Sequence, residues 1–268
     1  MPLDLSGQAF QQLADRVTRL ARAHLEALDG APIQPSATGA ELLAALGGAA
    51  PEEGRGEAVV DLLAKMLPAM RAQNGRFLGY VMGSGEPAGA TADLLASVLN
   101  QNLTAWRSSP AGVTIERAVV GWLAQALGCG AHAGSLTGGG SMANLMGLAM
   151  AREARAPANE RGARPGIVYA SEQVHMSIGK AVALLGLGRE NLRLVPADDA
   201  FRMRVDELEQ AIARDRAAGH APLAVVATAG TVATGAVDPL ARIADVAERE
   251  GLWLHVDGAY GALAAMVA

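Results

Sequence analysis

Three stretches of this sequence have the residue types and spacing to do chemistry. One is Leu136-Thr137-Gly138-Gly139-Gly140-Ser141, which leads into a helical pattern over residues 142–152. A glycine-rich turn opening a helix leaves backbone N–H groups free at the positive end of the helix dipole, and so makes an anion site. Ser141 is expected to cap that helix, and its hydroxyl is available to a phosphate. Another is the apolar run over 252–256, which ends in Asp257 and the small-residue turn Gly258-Ala259-Tyr260-Gly261. Open α/β sheets bind ligands at the carboxyl ends of their strands, and an acid there can face a buried cationic group. A strand alternates faces, so His255 and Asp257 point the same way. A lone aspartate in this position is ordinarily a buried turn cap. It gains a functional reading only if the chain also supplies a phosphate cradle and a group that stacks on a ring. His175, at the start of another helical pattern, is either that group or an ordinary helix-start histidine.

These residues need elements to hold them. Residues 8–28 carry Leu13, Val17, Leu20, Leu25 and Leu28 at helical spacing, broken by Asp29-Gly30-Ala31-Pro32. A short helix over 40–46 follows, then one over 59–71 that Pro68 ends or kinks. Residues 1–73 have too little apolar surface to fold alone and read as a helical arm that packs on something else. The run 77–81 reads as a strand or extended segment. Residues 90–102 and 113–127 read as helices, with Pro110 in the first turn of the second. From residue 167 the pattern alternates regularly. Strands are expected at 167–170, 192–195, 223–228 and 252–256, and helices at 175–187, 206–218 and 238–250. Asp206 and Glu209 stand at capping-box spacing, and Asp238-Pro239 reads as an N-cap followed by a first-turn proline. Buried strands alternating with helices predict an α/β domain over 74–268, with a mostly parallel sheet and flanking helices.

Composition excludes several classes. The 268 residues are 51% hydrophobic with a formal net charge of −5, which allows a sizeable core and argues against nucleic acid as a partner. No apolar run has membrane-spanning length, and Met1 to Phe10 lacks the order of a secretory signal. Cys129 is the single cysteine, which precludes an internal disulfide and suits a cytoplasmic location. No metal site is expected: His255 and Asp257 could offer two ligands, without an evident third. Gly138 to Ala143 also fits the dinucleotide fingerprint G-x-G-x-x-A. No strand precedes it and no acid ends the next strand at the required distance, which disfavours an oxidoreductase. Neither a nucleotide-hydrolase phosphate loop nor a Gly-x-Ser-x-Gly elbow is present.

Six stretches together carry a resemblance. They are Arg76-Phe77-Leu78-Gly79-Tyr80; Ser109-Pro110-Ala111 through Thr114-Ile115-Glu116; Leu136 through Asn144; His175-Met176-Ser177-Ile178-Gly179-Lys180-Ala181; Thr228-Ala229-Gly230-Thr231 through Gly235-Ala236-Val237-Asp238-Pro239; and His255-Val256-Asp257-Gly258-Ala259-Tyr260-Gly261. In this order they resemble the group II decarboxylases dependent on pyridoxal 5'-phosphate (PLP), which act on aromatic amino acids, glutamate, cysteine sulfinate and 2,4-diaminobutyrate. The resemblance implies the aspartate aminotransferase fold type, PLP as cofactor, an L-amino acid substrate converted to its amine and carbon dioxide, and a homodimer. Gly140 and Ser141 stand where the family binds the cofactor phosphate. His175 stands where an imidazole stacks on the pyridine ring and helps to protonate the decarboxylated carbon. Thr231 matches a cofactor-contacting threonine. Asp257 matches the partner of the ring nitrogen, which it keeps protonated so that the ring serves as an electron sink. Ala259 matches a small residue lying against the ring. Tyr80 matches the edge of the substrate pocket, with a plain core aromatic as an equal reading.

One departure is large. The family's Schiff-base lysine lies beyond the aspartate, in a His-Lys pair after one more strand, and the sequence stops at Ala268 without it. Lys65 and Lys180 are the only lysines. The family has a lysine at the position of Lys180 in addition to the catalytic one, and a helix would turn Lys180 away from His175. The expectation is therefore a fold incomplete at its C-terminal side: an N-terminal portion of a decarboxylase that does not turn over by itself. The alternatives are a non-catalytic PLP-binding or dimerisation fragment, and a PLP lyase or aldolase of the same fold.

Overall fold

The computed structural model describes residues 5–47 and 52–267, and the chain divides into two compact units, Met1–Ser97 and Val98–Ala268. The first unit is helical. It holds α1 (Gly7–Ala27), α2 (Gly39–Leu46), α3 (Ala58–Met66) and most of α4 (Pro87–Leu99). Ser6 caps α1 and a Thr38–Glu41 capping box opens α2. Arg16 pairs with Glu57 and Asp61 and so ties α1 to the start of α3. The helix expected over 59–71 ends at Met66 in a short 3-10 turn containing Pro68. The extended run expected at 77–81 is not a strand. It is irregular, with Tyr80 at φ 60°. The Arg71 guanidinium lies over the rings of Phe77 and Tyr80, 5.7 and 5.6 Å from their centroids. A cation–π cluster thus holds the segment where a ladder was expected.

The second unit carries α5 (Pro110–Ala126) and α6 (Gly140–Arg155), followed by regular alternation. The order is β1 (Ile167–Ser171), α7 (Ser177–Leu184), β2 (Leu192–Val195), α8 (Val205–Ala217), β3 (Pro222–Thr228), α9 (Leu240–Arg249) and β4 (Trp253–Asp257). All pairings are parallel, in the order β2-β1-β3-β4. The chain steps outward from β1 to β2, then jumps back across β1 to β3 and on to β4. Crossovers of one hand then put α7 on one face and α8 and α9 on the other. The core shows this division. Val168, Ala170, Ala224 and Val226 pack with Leu148 of α6 and Ile178 and Val182 of α7. Tyr169, Val225 and Ala227 pack with Leu208 and Ile212 of α8 and Ile243 and Val246 of α9. Both faces of the central strands are buried, so they read as continuous apolar runs.

Three expected caps fail in an informative way. The N-cap of α6 is Gly139, at φ 129°, and Ser141 sits inside the helix. Helix α8 starts after Arg204 with no side-chain cap, and Asp206 pairs with Arg204 at 2.7 Å instead of capping. Asp238 does not cap α9, whose N-cap is Pro239. Its two carboxylate oxygens accept the backbone N–H of Met203 and of Thr228, each at 2.7 Å. It thereby clamps the end of β3 to the segment before α8. Burial pushes the Asp238 carboxyl up from the usual carboxylate range, and the two N–H bonds offset only part of that rise.

Removing that carboxylate should be costly. Asp238→Ala leaves two buried N–H groups without acceptors, at about 1–3 kcal/mol each. Urea unfolding should show a loss of about 3 kcal/mol, against less than about 1 kcal/mol for Asp206→Ala at the exposed pair.

Candidate active site

A doubly wound sheet opens a crevice where its strand order reverses, at the carboxyl ends of the strands. Here that point lies between β1 and β3. The segments leaving the strand ends carry His175 after β1, Thr231 after β3, and Ala259 after β4, with Asp257 as the last residue of β4 itself. The N-terminus of α6 comes to the same end of the sheet. A Cβ on Gly140 would lie 2.8 Å from the Cβ of Ala259, so glycine is needed for this approach. Asn144, one turn further along α6, reaches Asp257. Ser141 lies between the two on the same helix, within about 5 Å of Asn144 along the axis. Gly140, Ser141, Asp257 and Ala259 are therefore neighbours.

Asp257 is 7% exposed. Its Oδ2 accepts the Asn144 amide N–H at 2.9 Å and its Oδ1 accepts the backbone N–H of Ala259 at 3.2 Å. Among the described residues it joins no ion pair. Asn144 is the hub of the site. Its amide nitrogen also donates to Ser177 Oγ at 3.0 Å, and its carbonyl oxygen meets His255 Nε2 at 2.8 Å. Ser177 in turn touches His175 Nδ1 at 2.8 Å. His175 thus precedes α7, which starts at Ser177 and not at 175. The Thr228 hydroxyl, in register with Asp257, is buried without a hydrogen-bond partner among the described residues.

Two loops are fixed against each other beside this network. Ala229 N donates to Asp257 O and Gly261 N donates to Ala229 O, at 2.8 and 3.0 Å. Gly230 takes φ 95°, which L residues rarely adopt. The Thr231 hydroxyl accepts the Ala236 N–H at 3.2 Å and shares a hydrogen with Thr234 at 2.7 Å. In this structure, then, its hydroxyl holds its own turn. The α6 N-terminus is open. Its first N–H groups have no intrahelical partner, Gly139 offers no side-chain cap, and Ser141 is exposed. Tyr80 belongs to the first unit, where it is 71% exposed.

The open helix start, the buried carboxylate and the histidine are the parts the resemblance calls for, and comparison with known proteins shows the family. Residues 51–267 match the pyridoxal-dependent decarboxylase conserved domain. The chain belongs to the pyridoxal-dependent decarboxylase family. It is 33% identical to the aromatic-L-amino-acid decarboxylase of Bacillus atrophaeus over 264 residues, 97% of this chain and 54% of that protein. It is 37% identical to the L-2,4-diaminobutyrate decarboxylase of Acinetobacter baumannii over 188 residues, 63% of this chain and 37% of that protein. The crystal structure of Oryza sativa TDC with PLP and tryptamine matches at a TM-score of 0.90 and 28% identity, over 99% of this chain and 58% of that one. The fold is that of the aspartate aminotransferase type. The chain spans about half the length of the Bacillus relative and less of the diaminobutyrate enzyme.

Sequence reading named the acid, the glycines and His175 but not the Asn144 that links Asp257 to Ser177. Its signal was present: Asn144 follows Gly140 by one helical turn and therefore lies on the same face. His255 was read as pointing with Asp257 and weighed with it as a pair of possible metal ligands. Its imidazole packs on α6, where a Cβ on Gly147 would come within 2.5 Å of the ring. Burial holds this histidine below its usual value of 6.5, with nearby Asp257 pulling the other way.

The sign of the pH dependence follows. The folded state resists protonation of His255, so the stability it contributes is complete above the unfolded value and is lost as pH falls through the depressed folded value. Thermal unfolding measured from about pH 7.5 to about pH 5 should show a falling Tm, with a shallower fall in His255→Gln. Equal slopes in the two proteins would place the acid sensitivity elsewhere.

Proposed function

We propose that this chain carries the cofactor-binding part of a PLP-dependent carboxy-lyase that converts an L-amino acid to its amine and carbon dioxide. The observation that supports this most is the buried Asp257 carboxylate. It is held by two hydrogen bonds, joins no ion pair among the described residues, and lies beside an open helix N-terminus at the carboxyl end of the sheet. A buried charge needs an opposite partner, and the protonated nitrogen of the pyridine ring supplies one. The orphaned Thr228 hydroxyl adds a further polar group without a partner among the described residues. The donor set therefore fits the cofactor.

In this reading the N–H groups at the start of α6, around Gly140, and the Ser141 hydroxyl hold the phosphate. Asp257 keeps the ring nitrogen protonated, Ala259 leaves room for a flat ring, and His175 lies against it. Thr231 shapes the rim, and Tyr80 contributes to the edge of the substrate pocket. Bound PLP supplies an electron sink for the pair released when the carboxylate leaves. His175 donates a proton to the substrate carbon that loses the carboxylate. We assign the Schiff-base amine to neither lysine of these residues. Lys65 lies in α3 of the first unit, and Lys180 is exposed on α7.

We read residues 1–73 as an arm that packs on a second copy of the chain and 74–268 as the cofactor domain. Ile115 and Trp122 on α5, and Met142, Met146 and Met150 along α6, are exposed apolar side chains that accord with such a homodimer. The single cysteine accords with a reducing, cytoplasmic setting.

Titration of the full chain with PLP, followed by absorbance, should show saturable binding. Asp257→Ala and Gly140→Val should each weaken it at least about tenfold, a loss of about 1.4 kcal/mol. Wild-type affinity in both variants would place the cofactor elsewhere. Borohydride reduction followed by peptide mapping should leave Lys180 without a stoichiometric pyridoxyl adduct. A panel of amino acids scored for both amine and carbon dioxide identifies the substrate, and product without carbon dioxide would favour a lyase or aldolase of the same fold.

A further inference from the structure

The hydrogen bonds around Asn144 have a direction, because each partner limits what the next can do. The ionised Asp257 carboxylate only accepts, so the group facing it is the amide nitrogen of Asn144. The second N–H of that nitrogen goes to Ser177 Oγ, which leaves the Ser177 hydroxyl hydrogen free to donate. The acceptor within reach is His175 Nδ1, at 2.8 Å, and the backbone N–H of Ser177 points at the same nitrogen from 3.2 Å. Two donors converging on one ring nitrogen require it to be unprotonated. The proton of a neutral His175 must then sit on Nε2. On the other side, the Asn144 carbonyl oxygen only accepts, so His255 donates from Nε2. The network closes without a conflict of donors or acceptors, and Asn144, Ser177 and Asp257 are all at least nine-tenths buried.

We propose that Asn144 is a positioning residue that, through Ser177, fixes the proton of His175 on Nε2 with the same amide that orients Asp257. This rests on the reading of the cleft as the cofactor site. Its consequence there is specific. A proton on Nδ1 would oppose two donors, so the N–H of the neutral ring points outward from Nε2. One buried amide thus sets both the ring's counter-charge and the state of the group that faces it.

The test is two-bond 1H–15N correlation on the full chain labelled with 15N-histidine, at neutral pH. The sequence has five histidines, and His175→Gln identifies the signal of interest. His175 should be the Nε2–H tautomer in the wild type. Ser177→Ala should raise its Nδ1–H fraction several-fold, and Ser177→Thr, which keeps the hydroxyl, should restore the wild-type pattern. Asn144→Ala touches neither ring nitrogen of His175, yet it frees the Ser177 oxygen to accept and should shift the tautomer in the same direction. An Nδ1–H wild type would overturn the proposal. So would a tautomer unchanged by Ser177→Ala, because the backbone N–H alone would then set it. So would a folded Asn144→Ala that keeps the wild-type tautomer; if that variant fails to fold, Asn144→Asp, whose carboxylate cannot donate to Ser177, takes its place. Adding PLP separates the two claims. An Nε2–H His175 whose ring signals ignore the cofactor would uphold the relay and overturn the assignment of the cleft.

Discussion

The structure of the site depends on satisfying one carboxylate buried inside protein. Asp257 ends an edge strand of the four-stranded sheet and is almost fully covered. Buried carboxylate oxygens without donors are costly, so the fold must bring hydrogen-bond donors to them. The fold supplies them from two directions. The turn after β4 gives the Ala259 N–H, and α6 gives the Asn144 amide. Helix α6 can approach this closely because Gly140 and Gly147 have no side chain where Ala259 and His255 sit. The glycines of this helix serve the carboxylate as much as the anion site.

The surrounding backbone is tied down at several points. Asp238 clamps the end of β3, and the loops after β3 and β4 exchange backbone hydrogen bonds. The sheet beneath them is buried on both faces. A second carboxylate network, in which Tyr169 donates to Asp215 and Arg193 pairs with it, fastens α8 to the far face. Burial and that hydrogen bond push the Tyr169 hydroxyl above its ordinary range. The site is therefore presented by a rigid frame, as positioning of small-molecule chemistry requires.

Much of this frame was legible in the sequence because it is local. The alternation of apolar strands and helices from residue 167 gives the parallel sheet, and β2 falls at the expected residues. What sequence reading missed is tertiary. Capping preferences placed Ser141, Asp206 and Asp238 at helix starts. Gly139 takes the first of these positions through its left-handed φ, Asp206 pairs with Arg204, and Asp238 goes to backbone donors distant in sequence. The apolar run at 77–81 is irregular instead, with Tyr80 at positive φ and Arg71 over its two aromatic rings. The Asn144 hub joins residues more than a hundred positions apart, so no local pattern could reveal it. Only the helical turn from Gly140 hinted at its face.

The central claim is that Asp257 holds a protonated pyridine nitrogen. The most direct measurement is the 15N chemical shift of PLP labelled at the ring nitrogen and bound to the full chain, followed as pH is raised. The account predicts a protonated nitrogen well above the pH at which free PLP loses that proton, and loss of the effect in Asp257→Ala. A bound cofactor with an unprotonated nitrogen, or one whose signal is the same in both proteins, would contradict it.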